Sequence, residues 1–222
     1  MALTVSVTQI APRELPELPA EAFAKHDSSP DSHFYREPRF VTHIDEPAIA
    51  AVTSLYAELL PLGGVILDMM SSWVSHLPPD TAFAAVIGQG MNQRELDANP
   101  RLTRRFVQDL NADPNLSLES ASLDAAQICV SVQYLQQPVT VLSEVARVLR
   151  PGSPVVVSFS NRCFPTKAVA IWSVLDATGR AQLVDLYLRR AAFARTETRI
   201  LIPEGGPSDP MTAVIGWTAP EV

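Results

Sequence analysis

Glycine and cysteine are scarce in this sequence. Its 222 residues include 9 glycines and 2 cysteines but 19 prolines, whereas a chain of this length with average composition carries roughly 15 glycines and 11 prolines. Few glycines mean few flexible loops. The cysteines, Cys129 and Cys163, are isolated and form no C-x-x-C motif, which argues against a disulfide framework or a structural zinc site.

The sequence also has no excess of positive charge and no long apolar run. Lys and Arg number 17 against 24 Asp and Glu, so the formal net charge is −7, which leaves no basic surface for nucleic acid or an anionic membrane. No apolar run approaches the roughly 20 residues of a membrane-spanning helix, and the N-terminus shows no signal-peptide pattern. The 4 histidines lack metal-ligand spacing. We therefore expect a soluble, cytoplasmic protein without a metal site and without nucleic acid or membrane partners.

The composition is otherwise that of a globular protein with one substantial core, since 47% of the residues are hydrophobic and 18% are charged. Six prolines fall within residues 1–47, so we interpret this segment as a proline-rich N-terminal arm or lid and residues 48–222 as the folded domain. Residues 33–40 mix aromatic and charged side chains, which suits a segment that lies over another surface. A helix is predicted to begin after Asp45, its N-cap, and to end at Pro61.

Five short apolar runs follow and alternate with helical patterns. They are residues 65–68, 83–87, 105–109, 126–130 and 155–159. Runs of this kind are typical of strands buried on both faces of a parallel sheet. Two final runs, 198–202 and 213–217, predict a closing hairpin at the sheet edge. The alternation of strands and helices predicts an α/β doubly wound domain.

The helices between these strands have recognisable signals. Residues 92–95 have the pattern of a capping box, and residues 138–149 carry one apolar stripe that stops before a Pro-Gly pair. Residues 167–191 predict one or two amphipathic helices with a break near Thr178 and Gly179.

The most specific pattern lies between the fourth and fifth predicted strands. Residues 134–152 run from a strand end through an amphipathic helix to the letters VLRPG, and the strand at 155–159 follows. In these features the chain resembles the class I S-adenosylmethionine-dependent methyltransferases, in particular their type 11 group, over roughly residues 45–220. The resemblance implies a Rossmann-like, mostly parallel seven-stranded sheet with an antiparallel last strand, and S-adenosylmethionine as the cofactor.

Ligands of doubly wound sheets bind outside the carboxyl ends of the strands. The residues that the resemblance implies for cofactor binding follow the predicted strands there. They are Asp68, Met69, Met70, Ser71, Ser72, Gly90, Met91, Asn92, Asp109, Leu110, Asn111 and Ser131. Asp109 matches the family position that hydrogen-bonds the adenine amino group, and Leu110 is expected to flank the ring. Asn92 is either a ribose ligand or a helix N-cap.

Two positions depart from the family pattern. The family's first loop reads acid-x-Gly-x-Gly-x-Gly, because glycine permits tight turns close to the cofactor. Here Met70, Ser72 and Val74 occupy the glycine positions. Gly90 stands where the family has a carboxylate that binds the ribose. The hydroxyls of the loop serines are candidates to replace the missing backbone contacts.

Candidates for chemistry and for substrate binding come from several segments. His43, His76 and Tyr134 are candidate catalytic residues, and an imidazole titrates near neutral pH. Tyr35, Arg36, Asn161 and Arg162 are candidate substrate-binding residues. The leading hypothesis is methyl transfer to a small-molecule acceptor. The alternatives are a methyltransferase-like scaffold that has lost its cofactor and an S-adenosylmethionine enzyme with a reaction other than methyl transfer.

Overall fold

A computed structural model of the chain describes residues 15–221. Its centre is a 7-stranded sheet with the strand order β3-β2-β1-β4-β5-β7-β6. The strands are β1 (Val65–Ser71), β2 (Ala85–Gly90), β3 (Arg104–Val107), β4 (Ala125–Cys129), β5 (Pro154–Phe159), β6 (Arg195–Ile202) and β7 (Met211–Trp217). Strands β1 to β5 pair in parallel, whereas β7 is antiparallel to both β5 and β6. The predicted fold class, with its antiparallel last strand and terminal hairpin, is confirmed.

The helices cover both faces of this sheet. They are α1 (Asp31–Phe34), α2 (Glu46–Leu59), α3 (Gln93–Ala98), α4 (Pro138–Val148), α5 (Ala170–Val174) and α6 (Ala177–Arg190). Side chains alternate between faces along a strand. In β5, Val155 and Val157 pack in the cluster that contains the apolar stripe of α4. Val156 between them packs in the cluster that contains Val52 and Leu55 of α2.

The helical signals predict the starts of helices better than their breaks. Asp45 caps α2 by accepting a hydrogen bond from the amide of Ala48 at 3.0 Å, as predicted. Residues 167–191 form two helices, with a break between Val174 and Ala177. The predicted break therefore exists but lies just before Thr178 and Gly179, which belong to α6. The Asp176 side chain accepts a 2.7 Å hydrogen bond from the Gly179 amide, so Gly179 belongs to a capped first turn.

Residues 15–45 pack against the domain near the carboxyl ends of the parallel strands. Leu15, Ala22 and Ile44 are buried, and Lys25 forms an isolated antiparallel bridge with Val169. The first part of the predicted arm, residues 1–14, lies outside the described residues. Within residues 15–221, no helix has the length and apolar character needed to cross a bilayer.

Candidate functional site

A cavity of about 600 Å³ opens at the carboxyl ends of β1 to β5, and side chains from residues 31–43 form part of its wall. This volume lies within the range of roughly 300–1,000 Å³ that is usual for small-molecule sites. The predicted site residues that line it are Tyr35, His43, Asp68, Met69, Met70, Ser71, Ser72, Met91, Asn92, Asp109, Leu110, Asn111, Ser131, Tyr134, Asn161 and Arg162, together with His76. Gly90 and Arg36 are not part of the wall. The fold therefore brings most of the candidates to one place.

The first loop, residues 68–76 at the end of β1, has a glycine-like backbone conformation at one of its three altered positions. Met70 has a φ of +52°, a left-handed conformation that costs a residue with a side chain roughly 1–2 kcal/mol. Its amide donates a 2.9 Å hydrogen bond to Oε1 of Gln89 on the neighbouring strand. Ser72 and Val74 are not among the residues with positive φ, so only Met70 retains the left-handed backbone.

Gly90 is closed to any side chain. Strand β1 continues to Ser71, which pairs with Gly90. A Cβ atom at position 90 would lie 2.4 Å from the Ser71 carbonyl oxygen, far inside van der Waals contact. The carboxylate that the family carries at this position therefore cannot be accommodated on this backbone.

Asp68 anchors the first loop from inside the protein. Its carboxylate accepts hydrogen bonds of 2.6 Å from the hydroxyls of Ser71 and Ser75, and Asn99 donates to the Ser75 hydroxyl at 2.9 Å. Burial raises the pKa of Asp68 to about 6, against the lowering effect of these hydrogen bonds. Hydrogen bonds thus hold the loop where the family has glycines.

Helix α3 joins the first loop to the arm through two side chains. Asn92 Oδ1 accepts from the amides of Arg94 and Glu95, while Nδ2 donates to the carbonyls of Tyr35 and Arg36 at 2.9 and 3.0 Å. The N-cap interpretation of Asn92 is confirmed, and its amide group is fully engaged. No second half of a capping box forms.

Glu95, the expected partner in that box, points elsewhere. Its carboxylate accepts from the Ser72 hydroxyl at 2.5 Å and from the Arg39 amide at 2.7 Å. The predicted reciprocal bond to Asn92 is therefore wrong, because the two carboxylate oxygens bind donors from the loop and the arm instead. Glu95 lines the cavity, and helical spacing alone did not identify it as a site residue.

The end of β3 presents an acid beside an apolar residue. Asp109 Oδ1 accepts a 3.0 Å hydrogen bond from the amide of Asn111, and Leu110 is buried. The Asn111 side chain accepts from the Gln136 amide and donates to Asp31 and to the Tyr134 carbonyl. Asn111 thus shapes the wall and has its hydrogen-bonding groups occupied by protein.

The three catalytic candidates have different proton affinities. Burial lowers the pKa of His43, and burial followed by the nearby His43 lowers the pKa of His76 to about 4. Both imidazoles are therefore neutral at neutral pH. Burial raises the pKa of Tyr134 to about 12, and its hydroxyl accepts a 2.9 Å hydrogen bond from the Phe164 amide. Tyr134 consequently stays a protonated phenol.

The arm contributes groups that the residue patterns did not single out. Asp31 and Arg39 line the cavity, as does Phe164 after β5. The aromatic and charged composition of residues 33–40 is the only signal for Arg39, and it does not say which side chain faces inward. Within residues 15–221 no group of three or more His, Cys, Asp or Glu side chains is arranged to hold a metal ion.

A doubly wound sheet of this strand order with a ligand-sized cavity at its carboxyl ends has the class I methyltransferase fold. The family described as "Methyltransferase domain" has a sequence model that matches residues 72–157, from the first loop to β5. The resemblance to S-adenosylmethionine-dependent methyltransferases seen in the sequence is therefore confirmed. A comparison with curated protein sequences found no significant match.

Solved structures agree on the fold. A SAM dependent methyltransferase from Archaeoglobus fulgidus is 12% identical, with a TM-score of 0.61 over 78% of this chain and 95% of that chain. One from Aquifex aeolicus is 15% identical, with a TM-score of 0.55 over 80% and 92%. The [4+2]-cyclase SpnF is 17% identical, with a TM-score of 0.55 over 77% and 80%. At these identities the likeness concerns the fold.

Proposed function

We propose that this protein binds S-adenosylmethionine and transfers its methyl group to a small molecule. The observation that carries the proposal is the cavity of about 600 Å³, which gathers nearly all the residues that the resemblance implies for cofactor binding. The methyltransferase fold and the family match over residues 72–157 support it.

The residues at the end of the cavity near β2 and β3 fit the adenine ring of the cofactor. Met91 and Leu110 provide apolar surface for a flat ring, and Asp109 provides a carboxylate for an exocyclic amino group. Position 90 has no room for a side chain, so other groups must contact the ribose. The Ser72 hydroxyl and the Glu95 carboxylate, joined at 2.5 Å, belong to residues of the cavity wall and are candidates for this contact.

The chain's own residues have mainly to align reactants and exclude water. When bound, S-adenosylmethionine supplies an electrophilic methyl group on a sulfonium. Correct alignment of two reactants contributes roughly 7–11 kcal/mol to lowering a barrier, and side chains from residues 31–43 form part of the cavity wall. His43 holds a neutral, half-buried imidazole in the wall, so it is our candidate to accept a proton from the acceptor.

The scaffold alternative has one observation in its favour. Pairing of Ser71 with Gly90 closes the family's ribose-binding position, which is what loss of the cofactor would permit. The alternative of a reaction other than methyl transfer is favoured by the likeness to a fold neighbour described as a [4+2]-cyclase. Analysis of the reaction product separates that alternative from methyl transfer.

Calorimetry with S-adenosylmethionine and S-adenosylhomocysteine tests cofactor binding, together with mass spectrometry of small molecules released by denaturing the purified protein. We expect both ligands to bind, and Asp109→Ala to weaken binding by about tenfold or more, the equivalent of one lost charge-assisted hydrogen bond. Asp113→Ala, which removes an exposed acid from the same segment, should leave binding unchanged. Absence of binding at millimolar concentration would exclude the proposal and leave the scaffold alternative.

A further inference from the structure

Arg39 is held in the cavity wall by three aromatic rings. Its guanidinium carbon lies 4.3 Å from the ring centre of Phe34, 5.4 Å from that of Phe164 and 5.9 Å from that of Tyr35. Nη2 donates a 2.9 Å hydrogen bond to the Phe34 carbonyl, and the Arg39 amide is held by Glu95. The rings and the Nη2 hydrogen bond orient the guanidinium, and the hydrogen bond from the Arg39 amide to Glu95 holds the backbone that carries it.

This cation lacks a partner for part of its donor set. Nη1 is buried and has no hydrogen-bond partner among the described residues. No Asp or Glu of residues 15–221 forms an ion pair with the Arg39 side chain. An arginine stays charged at any physiological pH, and a buried donor without an acceptor is unfavourable. An anion in the cavity would supply the acceptor.

The charges of the cavity indicate which kind of anion fits. Four carboxylates line the same wall: Asp31, Asp68, Glu95 and Asp109. They oppose a multiply charged phosphate, whereas one planar carboxylate matches a guanidinium in shape and charge. Arg162, the other arginine of the wall, is 62% exposed in its side chain and lies 3.8 Å from Asp209, so its charge is already partly matched.

We propose that Arg39 binds a carboxylate of the ligand that occupies this cavity. The proposal rests on the proposed function, because it deepens the description of the same site. The carboxylate has two sources, the aminoacyl group of the cofactor or an acidic methyl acceptor. Both present the same chemistry to the guanidinium.

The first experiment compares two adenosine ligands. S-adenosylhomocysteine carries the aminoacyl carboxylate, whereas 5′-methylthioadenosine lacks the aminoacyl group. If the cofactor supplies the carboxylate, Arg39→Gln weakens S-adenosylhomocysteine about tenfold or more in calorimetry and leaves 5′-methylthioadenosine unchanged. A general loss of structure would weaken both ligands alike, and thermal unfolding of the variant measures such a loss directly.

Arg101→Gln is the matched control. The Arg101 guanidinium also packs on an aromatic ring, that of Phe83 at 5.8 Å, and also donates to backbone carbonyls, those of Pro79 and Thr81. It is not part of the cavity wall. Arg101→Gln should therefore leave the binding of both adenosine ligands unchanged.

The second experiment tests binding of an acidic acceptor. Benzoate and acetate are the probes, with benzamide and acetamide as uncharged counterparts, and ligand-observed NMR measures their binding. If the acceptor supplies the carboxylate, the wild-type protein binds an acid but not its amide, Arg39→Gln loses that binding, and S-adenosylhomocysteine is unaffected.

The proposal is overturned if Arg39→Gln changes neither S-adenosylhomocysteine nor acid binding, or if the wild-type protein binds neither. Failure of the proposed function looks different: wild-type protein then binds neither adenosine ligand, while selective, Arg39-dependent binding of the acids persists.

Discussion

Single residues of the first loop replace what glycine provides in related folds. Met70 has a left-handed backbone, and its amide donates a hydrogen bond to the Gln89 side chain. The hydroxyls of Ser71 and Ser75 donate to the buried Asp68 carboxylate. The loop is therefore built from specific hydrogen bonds around one buried acid. We therefore expect the protonation state of Asp68 to affect the stability of the protein.

Asp68→Asn tests this role through pH. Because the folded-state pKa of about 6 exceeds the ordinary value of 3.8, Asp68 favours folding at low pH, and this stability is lost as pH rises from about 4 through 6. A shift of this size corresponds to about 3 kcal/mol. Between pH 4.5 and 7.5 we expect the stability of Asp68→Asn to rise relative to wild type by about 2 kcal/mol, measured by urea unfolding.

The exposed Asp80→Asn is the control for that experiment. Its stability relative to wild type should stay constant over the same pH range. Parallel pH profiles for wild type and Asp68→Asn would show that the buried carboxyl titrates as it does in water.

Helix α3 is the element that joins sheet, loop and arm. Asn92 caps the helix and also binds two arm carbonyls. Loss of an N-cap costs about 1 kcal/mol, and each lost buried hydrogen bond about another. We therefore expect Asn92→Ala to lower the free energy of unfolding by about 2–3 kcal/mol, measured by urea denaturation, and to increase proteolysis within residues 15–45.

Two further variants separate the parts of that effect. Asp176→Ala removes a cap of α6 that makes one hydrogen bond and should cost about 1 kcal/mol. Asn92→Asp keeps a good cap but removes the donors to Tyr35 and Arg36, so it should still expose the arm to protease. If Asn92→Asp is digested as slowly as wild type, the two arm hydrogen bonds are unimportant.

The molecule as a whole is joined to its arm by a buried ionic cluster. The Lys167 side chain is 0% exposed and lies 3.1 Å from Asp27 and 3.3 Å from Asp31, and it donates to the Ser29 carbonyl at 2.7 Å. Lys25 approaches Asp31 at 2.5 Å. This cluster fixes the segment that carries the cover of the cavity.

Lys167→Met should loosen that cover. Removing one partner of a buried ion pair costs roughly 3–5 kcal/mol, and Lys25 remains to compensate part of it, so we expect a loss of about 3 kcal/mol with faster cleavage in residues 15–45. Arg190→Gln breaks an exposed arm-to-body pair with Glu17 and should cost at most about 1 kcal/mol. Equal cleavage rates for wild type and Lys167→Met would contradict the anchoring role.

Local signals predicted much of this architecture. The apolar run of β5 and the caps at Asp45 and Asn92 depend on neighbours in the sequence, so they could be predicted. The partners of Glu95 could not. Glu95 bonds to residues 23 and 56 positions away, and no local pattern encodes such distances.

The sequence by itself determined the alternation of strands and helices, the resemblance to methyltransferases and the strand ends where a ligand binds, because hydrophobic periodicity and capping act over a few residues. Tertiary structure decided that β1 runs on to close position 90, that Asp68 is buried with serine hydroxyls as partners, and that Arg39 faces the cavity from the arm. These outcomes depend on steric fit and desolvation between distant segments, and both arise only when the segments meet.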